Sequence, residues 1–303
     1  GSMPDRTVMG GVNVDLTNLF SVDGFDFAGW TASDGKTYGN GATPKDLTKT
    51  NNGVITLTAN WTPKNYTIQY TTNVNPSSRT AAQAVNPNTA TSYRVSDPNM
   101  TLAPMTWPGY TFGGWYDNPS FSGSPINSFS AMDAAPKTFY AKWSSANSYT
   151  VTYTLNDGTP AGHPATNPNT VSTYTVLDSP VTLQPATRTG YDFEGWYDNA
   201  GLSGTPITGF NPADAENKHY YAKWSAAKSY TVQWNLNDGT PAGHPATNPN
   251  TVTSYTVLDP NVTLAPATRT GYDFEGWYDN AALSGTPIAG FPTSDAANKH
   301  YYA

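Results

Sequence analysis

Four histidines and a recurring set of carboxylates are the residues whose types could do chemistry. His163 and His244 stand 81 residues apart, as do His219 and His300, so the four histidines are two positions, each used twice. No Asp or Glu lies beside either position at a metal-ligand spacing. The pattern reads as a loop histidine and an outward strand histidine rather than as a zinc site. Asp157, Asp178, Asp192, Glu194, Asp198 and Asp214 all recur in the next copy. Paired carboxylates are the machinery of glycoside hydrolysis. Here, however, they would place the same active site in several small units, none expected to hold a deep pocket. Asp157-Gly158 and Asp198-Asn199 have the residues that turns require, and no dense Asp-x-Asp-x-Asp-Gly loop marks a calcium site. With no cysteine in the chain, thiol catalysis, thiolate metal sites and disulfides are removed together. The expectation is a protein that is not an enzyme, with no catalytic residue, no metal site and no cofactor.

The aromatic residues leave a larger question open. Gly190-Tyr191-Asp192-Phe193-Glu194-Gly195-Trp196-Tyr197-Asp198-Asn199 recurs at Gly271–Asn280, with a cousin at Gly109–Asn118 and a worn copy at Gly24–Thr31. In this stretch the rings of Tyr191 and Phe193 are expected to point inward and the carboxylates outward. Gly195 should bend or bulge the strand, or let a ring lie against the backbone, and Trp196 follows that bend. Trp196, Tyr197 and Tyr221 are the candidate exposed rings, able to stack on a sugar or to pack against a neighbouring unit. Glu194 and Lys223 are expected to pair across two strands on the wet face. An outward Lys223 argues against a covalent Lys–Asn crosslink, which needs buried partners.

The elements that must position these residues are strands. In the closing stretch of the first unit Ile55, Leu57, Ala59 and Trp61 alternate with Thr56, Thr58 and Asn60, the period of a half-buried strand. Its later copies place Tyr220, Ala222 and Trp224 inward and Tyr221 and Lys223 outward. Tyr149, Val151, Tyr153 and Leu155 alternate with threonines in an opening strand, as do Tyr230, Val232, Trp234 and Leu236 with polar residues. Val12, Val14 and Leu16 suggest a further strand near the start. Thr159–Asn169, repeated identically at Thr240–Asn250, is a long Pro/Asn/Thr loop. Asn211-Pro212 suits the start of a helical turn, with Asn as cap and Pro in the first position.

The spacing divides the chain into four units of about 75–80 residues, each able to hold a small core: 1–62, with its front part missing or divergent; 63–145; 146–226; and 227–303, with its last strand cut short. His300–Ala303 repeats His219–Ala222 and stops before counterparts of Lys223 and Trp224, so the chain is expected to belong to a longer array. Connections of four or five residues between units predict a semi-rigid rod, on the order of 100–120 Å if each unit is about 25–30 Å across. The net charge of −7 and pI near 4.9 argue against nucleic acid as a partner. No run of 18 apolar residues is present for membrane insertion.

An opening Tyr-Thr-Val-Thr-Tyr, an Asp-Gly turn, Gly-Tyr-x-Phe-x-Gly-Trp-Tyr and a closing Tyr-Ala-Lys-Trp together resemble the Listeria–Bacteroides repeat, the family that includes the B repeat of bacterial internalins. The first unit departs from it, with Ala28 and Asn60 at the Glu and Lys positions, and the Thr159–Asn169 loop looks like an insertion. The resemblance implies a β-rich α+β fold: a tandem array of small β-grasp-like domains, each a mixed twisted sheet with at most one short helix. It implies an extracellular bacterial protein, secreted or attached to the cell wall. The expected role is the stalk of an adhesin, in which neighbouring repeats hold one another and project a binding domain. The alternative is that the repeats bind host glycans or proteins multivalently through exposed aromatics.

Overall fold

The computed structural model describes residues 4–158, 162–239 and 242–303. The chain resolves into two compact bodies, one ending at Asn147 and one beginning at Ser148. The first holds repeats 1 and 2, the second repeats 3 and 4.

Repeat 3 shows how the alternating stretches combine. Its sheet runs, in spatial order, Thr173–Tyr174, Tyr149–Thr154, Lys218–Trp224 and Phe193–Tyr197. The opening strand and the closing strand are the central pair and lie parallel, with Val151 opposite Lys218 and Tyr153 opposite Tyr220. The two outer strands are antiparallel to their neighbours. Repeat 2 has the same order and senses, from Ser92–Arg94 through Asn65–Thr71 and Lys137–Trp143 to Phe112–Tyr116. Small antiparallel ribbons, such as Val181–Thr182 with Gly209–Phe210, close the other side. The protein is β-rich, and its described helical segments are single 3₁₀ turns. At Pro212–Asp214 the Asn211 side chain accepts from the Ala213 N–H at 3.1 Å, the expected cap.

Each repeat has its own core. In repeat 3 it contains Val151, Tyr174, Leu183, Trp196, Phe210 and Tyr220, the inward set of the alternating strands joined by residues of the small ribbons. Repeats 2, 4 and 1 have separate clusters around Trp115, Trp277 and Trp30. Among its described residues repeat 1 has a three-stranded sheet, Thr37–Tyr38, Phe25–Ala32 and Leu57–Pro63.

Two expectations require correction. Val12, Val14 and Leu16 form no strand. Val14 and Leu16 are buried, but Val12 is half exposed, and the ladder is a single bridge from Asn13 to Lys45. Val14 donates to the carbonyl of Pro44, a residue with no N–H to return the bond, and the contact continues only as isolated bonds such as Leu16 to Ala42. Tyr191 does not join the core either. The motif strand begins only at Phe193, and Tyr191 lies before it, under a guanidinium described below.

Candidate functional site

The candidate site is the motif strand Phe193–Tyr197 with the closing strand Lys218–Trp224 beside it. Phe193 faces Trp224 and Gly195 faces Lys223, so Glu194 is the extra residue of a bulge. Gly195 makes the bulge possible. Its φ is +136°, and a Cβ there would come within 2.6 Å of Pro206 Cβ. The other motif glycines, Gly114 and Gly276, have the same sign of φ and the same proline neighbour, Pro125 and Pro287.

Beyond the bulge Trp196 stands opposite Ala222, which is itself fully buried. The small residue leaves room for the indole to lie inward, where it is 2% exposed. Its N–H donates to the Gln184 carbonyl at 2.8 Å. Trp115 and Trp277 make the same bond to Ala103 and Ala265, and Trp30 to Leu16. Tyr197 stands opposite Tyr221 but is only 5% exposed, with the Lys223 ammonium 5.5 Å from its ring centre. The expected exposure of Trp196 and Tyr197 is therefore corrected: one ring fills the core and the other is roofed by Lys223. Tyr221 alone of the three remains half-buried. It stacks on His219 with ring centres 4.3 Å apart, and His219 Nε2 lies 2.7 Å from Thr154 Oγ1. The pair recurs as His300 and Tyr302, also 4.3 Å apart.

Glu194 and Lys223 meet on the wet face at 3.2 Å. The hydrogen bond to Glu194 holds the Lys223 ammonium above its ordinary pKa. Repeat 2 has Gly113 at the bulge, and Lys142 instead lies over the ring of Tyr116. In repeat 1 Asn60 donates to Thr31 Oγ1. The more deeply set lysine is Lys218. Burial works to lower its pKa, but bonds to Asp214 and Glu216, both 2.7 Å, outweigh that and raise it. Burial pushes the Tyr220 and Tyr301 phenols up to about 12.

An arginine pair carries a role that sequence reasoning missed. Arg188 is 6% exposed, its guanidinium 4.1 Å from the Tyr191 ring centre. Its Nε donates to the His163 carbonyl and its Nη2 to the Asp157 carbonyl. It thus ties both described flanks of the long loop to the motif. Arg269 makes the same set with His244, Asp238 and Tyr272. In repeat 2 Trp107 takes this place and stacks on Tyr110 at 3.7 Å. The signal in the sequence was the recurring Arg-Thr-Gly-Tyr beside Trp-Pro-Gly-Tyr.

Among the described residues no group of three or more His, Asp or Glu is placed to hold a metal ion. None of the described helices is long and apolar enough to cross a membrane. The tip of the long loop, residues 159–161 and 240–241, lies outside the described residues.

The mixed four-stranded sheet with a bulged Gly-Trp-Tyr strand, seen in repeats 2 and 3, defines a class. The family model of the Listeria–Bacteroides repeat domain matches residues 66–142, 149–223 and 230–303. The chain belongs to this family. It is 27% identical over 273 residues to a protein of Evansella cellulosilytica named "Putative Gly-rich membrane protein", covering 86% of this chain and 28% of that one. A second protein of that organism, named "Putative membrane protein", is 26% identical over 233 residues, 75% of this chain and 30% of its own length. The chain spans less than a third of the length of these relatives.

Proposed function

We propose that the chain is a non-catalytic repeat region of a bacterial cell-surface adhesin, a semi-rigid stalk that projects a binding domain from the cell. The observation that carries this reading is the fate of the aromatics. Trp115, Trp196 and Trp277 are each at most 2% exposed, and each spends its N–H on a carbonyl of its own repeat. Each repeat is thus a self-contained core, which suits a spacer whose length is set by repetition. The relatives' names, as membrane proteins, support a place at the cell envelope. The units are read as β-grasp-like because a parallel central pair is flanked on both sides by antiparallel strands. Small-angle scattering of the whole chain tests the stalk. It should give a largest dimension on the order of 100 Å with a rod-like cross-section; a compact globule would contradict it.

The stacked pairs His219–Tyr221 and His300–Tyr302 favour a second reading, in which the outer sheet face binds host glycans multivalently. Glycan-array binding by the parent chain, lost in a variant combining Tyr221→Ala and Tyr302→Ala, would establish it. No binding by the parent removes it.

A further inference from the structure

The junctions between repeats carry a recurring set of contacts that the core motif does not need. The carbonyl of the motif glycine accepts a bond from the connection to the next repeat: Lys64 N–H to Gly24 at 2.8 Å, Asn147 to Gly109 at 2.7 Å and Lys228 to Gly190 at 2.8 Å. Two residues after each glycine, a side chain meets the same connecting residue. Asp26 pairs with Lys64 at 3.5 Å and Asp192 with Lys228 at 2.9 Å. In repeat 2 both partners change together, and Thr111 donates to Asn147 Oδ1 at 3.1 Å. Two ionic versions and one neutral version of the same pair, in one chain, point to a contact that matters for register.

The glycine itself receives a side chain of the following repeat. Gly24 and Gly190 are buried and both have φ +81°. A Cβ on Gly24 would overlap Val95, and one on Gly190 would come within 2.5 Å of Val257 Cγ1. Val95 and Val257 hold the same place, two residues after Tyr93 and Tyr255, the core tyrosines of repeats 2 and 4. Gly271 has the same backbone, with φ +82°, but is exposed, and nothing lies within 4 Å of the place where its Cβ would be.

We propose that this set is a clasp: the motif glycine is a socket for the valine of the next repeat, and the Asp–Lys pair or its Thr–Asn equivalent fixes the connecting chain. The clasp holds repeat 1 to repeat 2 through Gly24 and Val95, and repeat 3 to repeat 4 through Gly190 and Val257. It deepens the stalk reading and rests on it, because it adds stiffness to that of a connection of four or five residues.

The chain lacks cysteine, so Ala200→Cys with Ala281→Cys, both in exposed loops, places one spin label on repeat 3 and one on repeat 4. Double electron–electron resonance then reads the distribution of distances between them. The parent should give one narrow distribution. Gly190→Ala adds a methyl group where Val257 sits and should broaden it at least twofold. Gly271→Ala imposes the same backbone strain with free space around it, and should leave the distribution narrow. A Gly190→Ala distribution as narrow as the parent's overturns the clasp and leaves the stalk standing. A broad distribution in the parent itself overturns both.

Discussion

Repeats 3 and 4 share every residue of the motif, Gly190–Asn199 and Gly271–Asn280, yet their motif stretches differ in structure. In repeat 3 Phe193–Tyr197 is a strand paired with Lys218–Trp224. In repeat 4 Phe274–Trp277 has no strand pairing, and only Tyr278 bridges to Tyr302. The closing strand of repeat 4, Lys299–Tyr302, pairs with the opening strand Tyr230–Asn235. In repeat 3 the Trp224 ring lies 5.4 Å from Phe193 and donates to the Leu155 carbonyl. Leu236 and Phe274, the counterparts of Leu155 and Phe193, line an open cleft of about 330 Å³ together with Ala303. Even so, Trp277 is 1% exposed and keeps its 2.8 Å bond to Ala265. The difference teaches that two separate causes act on one motif. The buried tryptophan is held by its own carbonyl and core, and the strand around it is made by the closing strand.

The largest effect should fall on the shared cause. Trp196→Ala and Trp277→Ala should each destabilise their repeat by about 3–5 kcal/mol, as deletion of a buried indole does. Chemical denaturation followed by near-ultraviolet circular dichroism checks this. A cost confined to repeat 3 would break the comparison. Next, Trp224→Ala, which removes the ring packed on Phe193 and its bond to Leu155, should loosen the motif strand of repeat 3 at about 2 kcal/mol. Hydrogen exchange should then show faster exchange at Phe193–Gly195 while the Trp196 indole stays protected.

Gly195→Ala and Gly276→Ala should cost about 1–3 kcal/mol each, since both glycines have positive φ and both meet a proline. Equal costs, measured by thermal unfolding, would show that the bulge turns on the glycine rather than on the strand. Alkaline pH reaches both repeats through Tyr220 and Tyr301. Burial raises these phenols from 10 to about 12 in the folded state. The folded chain therefore holds protons that the unfolded chain releases. Their contribution is fully present below pH 10 and is lost as the pH rises from 10 toward 12, by about 2 kcal/mol per tyrosine. Denaturant midpoints measured across that range check the sign. The smallest effect belongs to Lys223→Met, which removes an exposed pair that repeat 2, with Gly113 in place of the glutamate, does without. Its unfolding midpoint should match the parent's within scatter.

The sequence made the strands legible because their alternation is strict, as in Tyr149–Leu155 and in the closing strand. It also carried the bulge at Gly195, the Asn211 cap and the Glu194–Lys223 pair, each resting on neighbours close in sequence or in register. The direction of Trp196 was not legible. A bulge adds a residue and resets the alternation, and the side on which the next ring lies depends on Ala222, 26 residues on. Arg188 was missed although Arg-Thr-Gly-Tyr recurs, because the carbonyls of His163 and Asp157 that it ties leave no trace in residue types. The parallel pairing of opening and closing strands joins residues more than 60 positions apart, and alternation says nothing about neighbours at that range.

The central claim is that the recurring aromatic motif is a packing element in every copy. The most direct measurement is hydrogen exchange of the indole N–H protons, read in a ¹⁵N–¹H spectrum of the whole chain. The account predicts that Trp30, Trp115, Trp196 and Trp277 all exchange slower than free indole, by on the order of a thousandfold or more. Exchange of Trp196 or Trp277 at the rate of a solvent-exposed indole would contradict it.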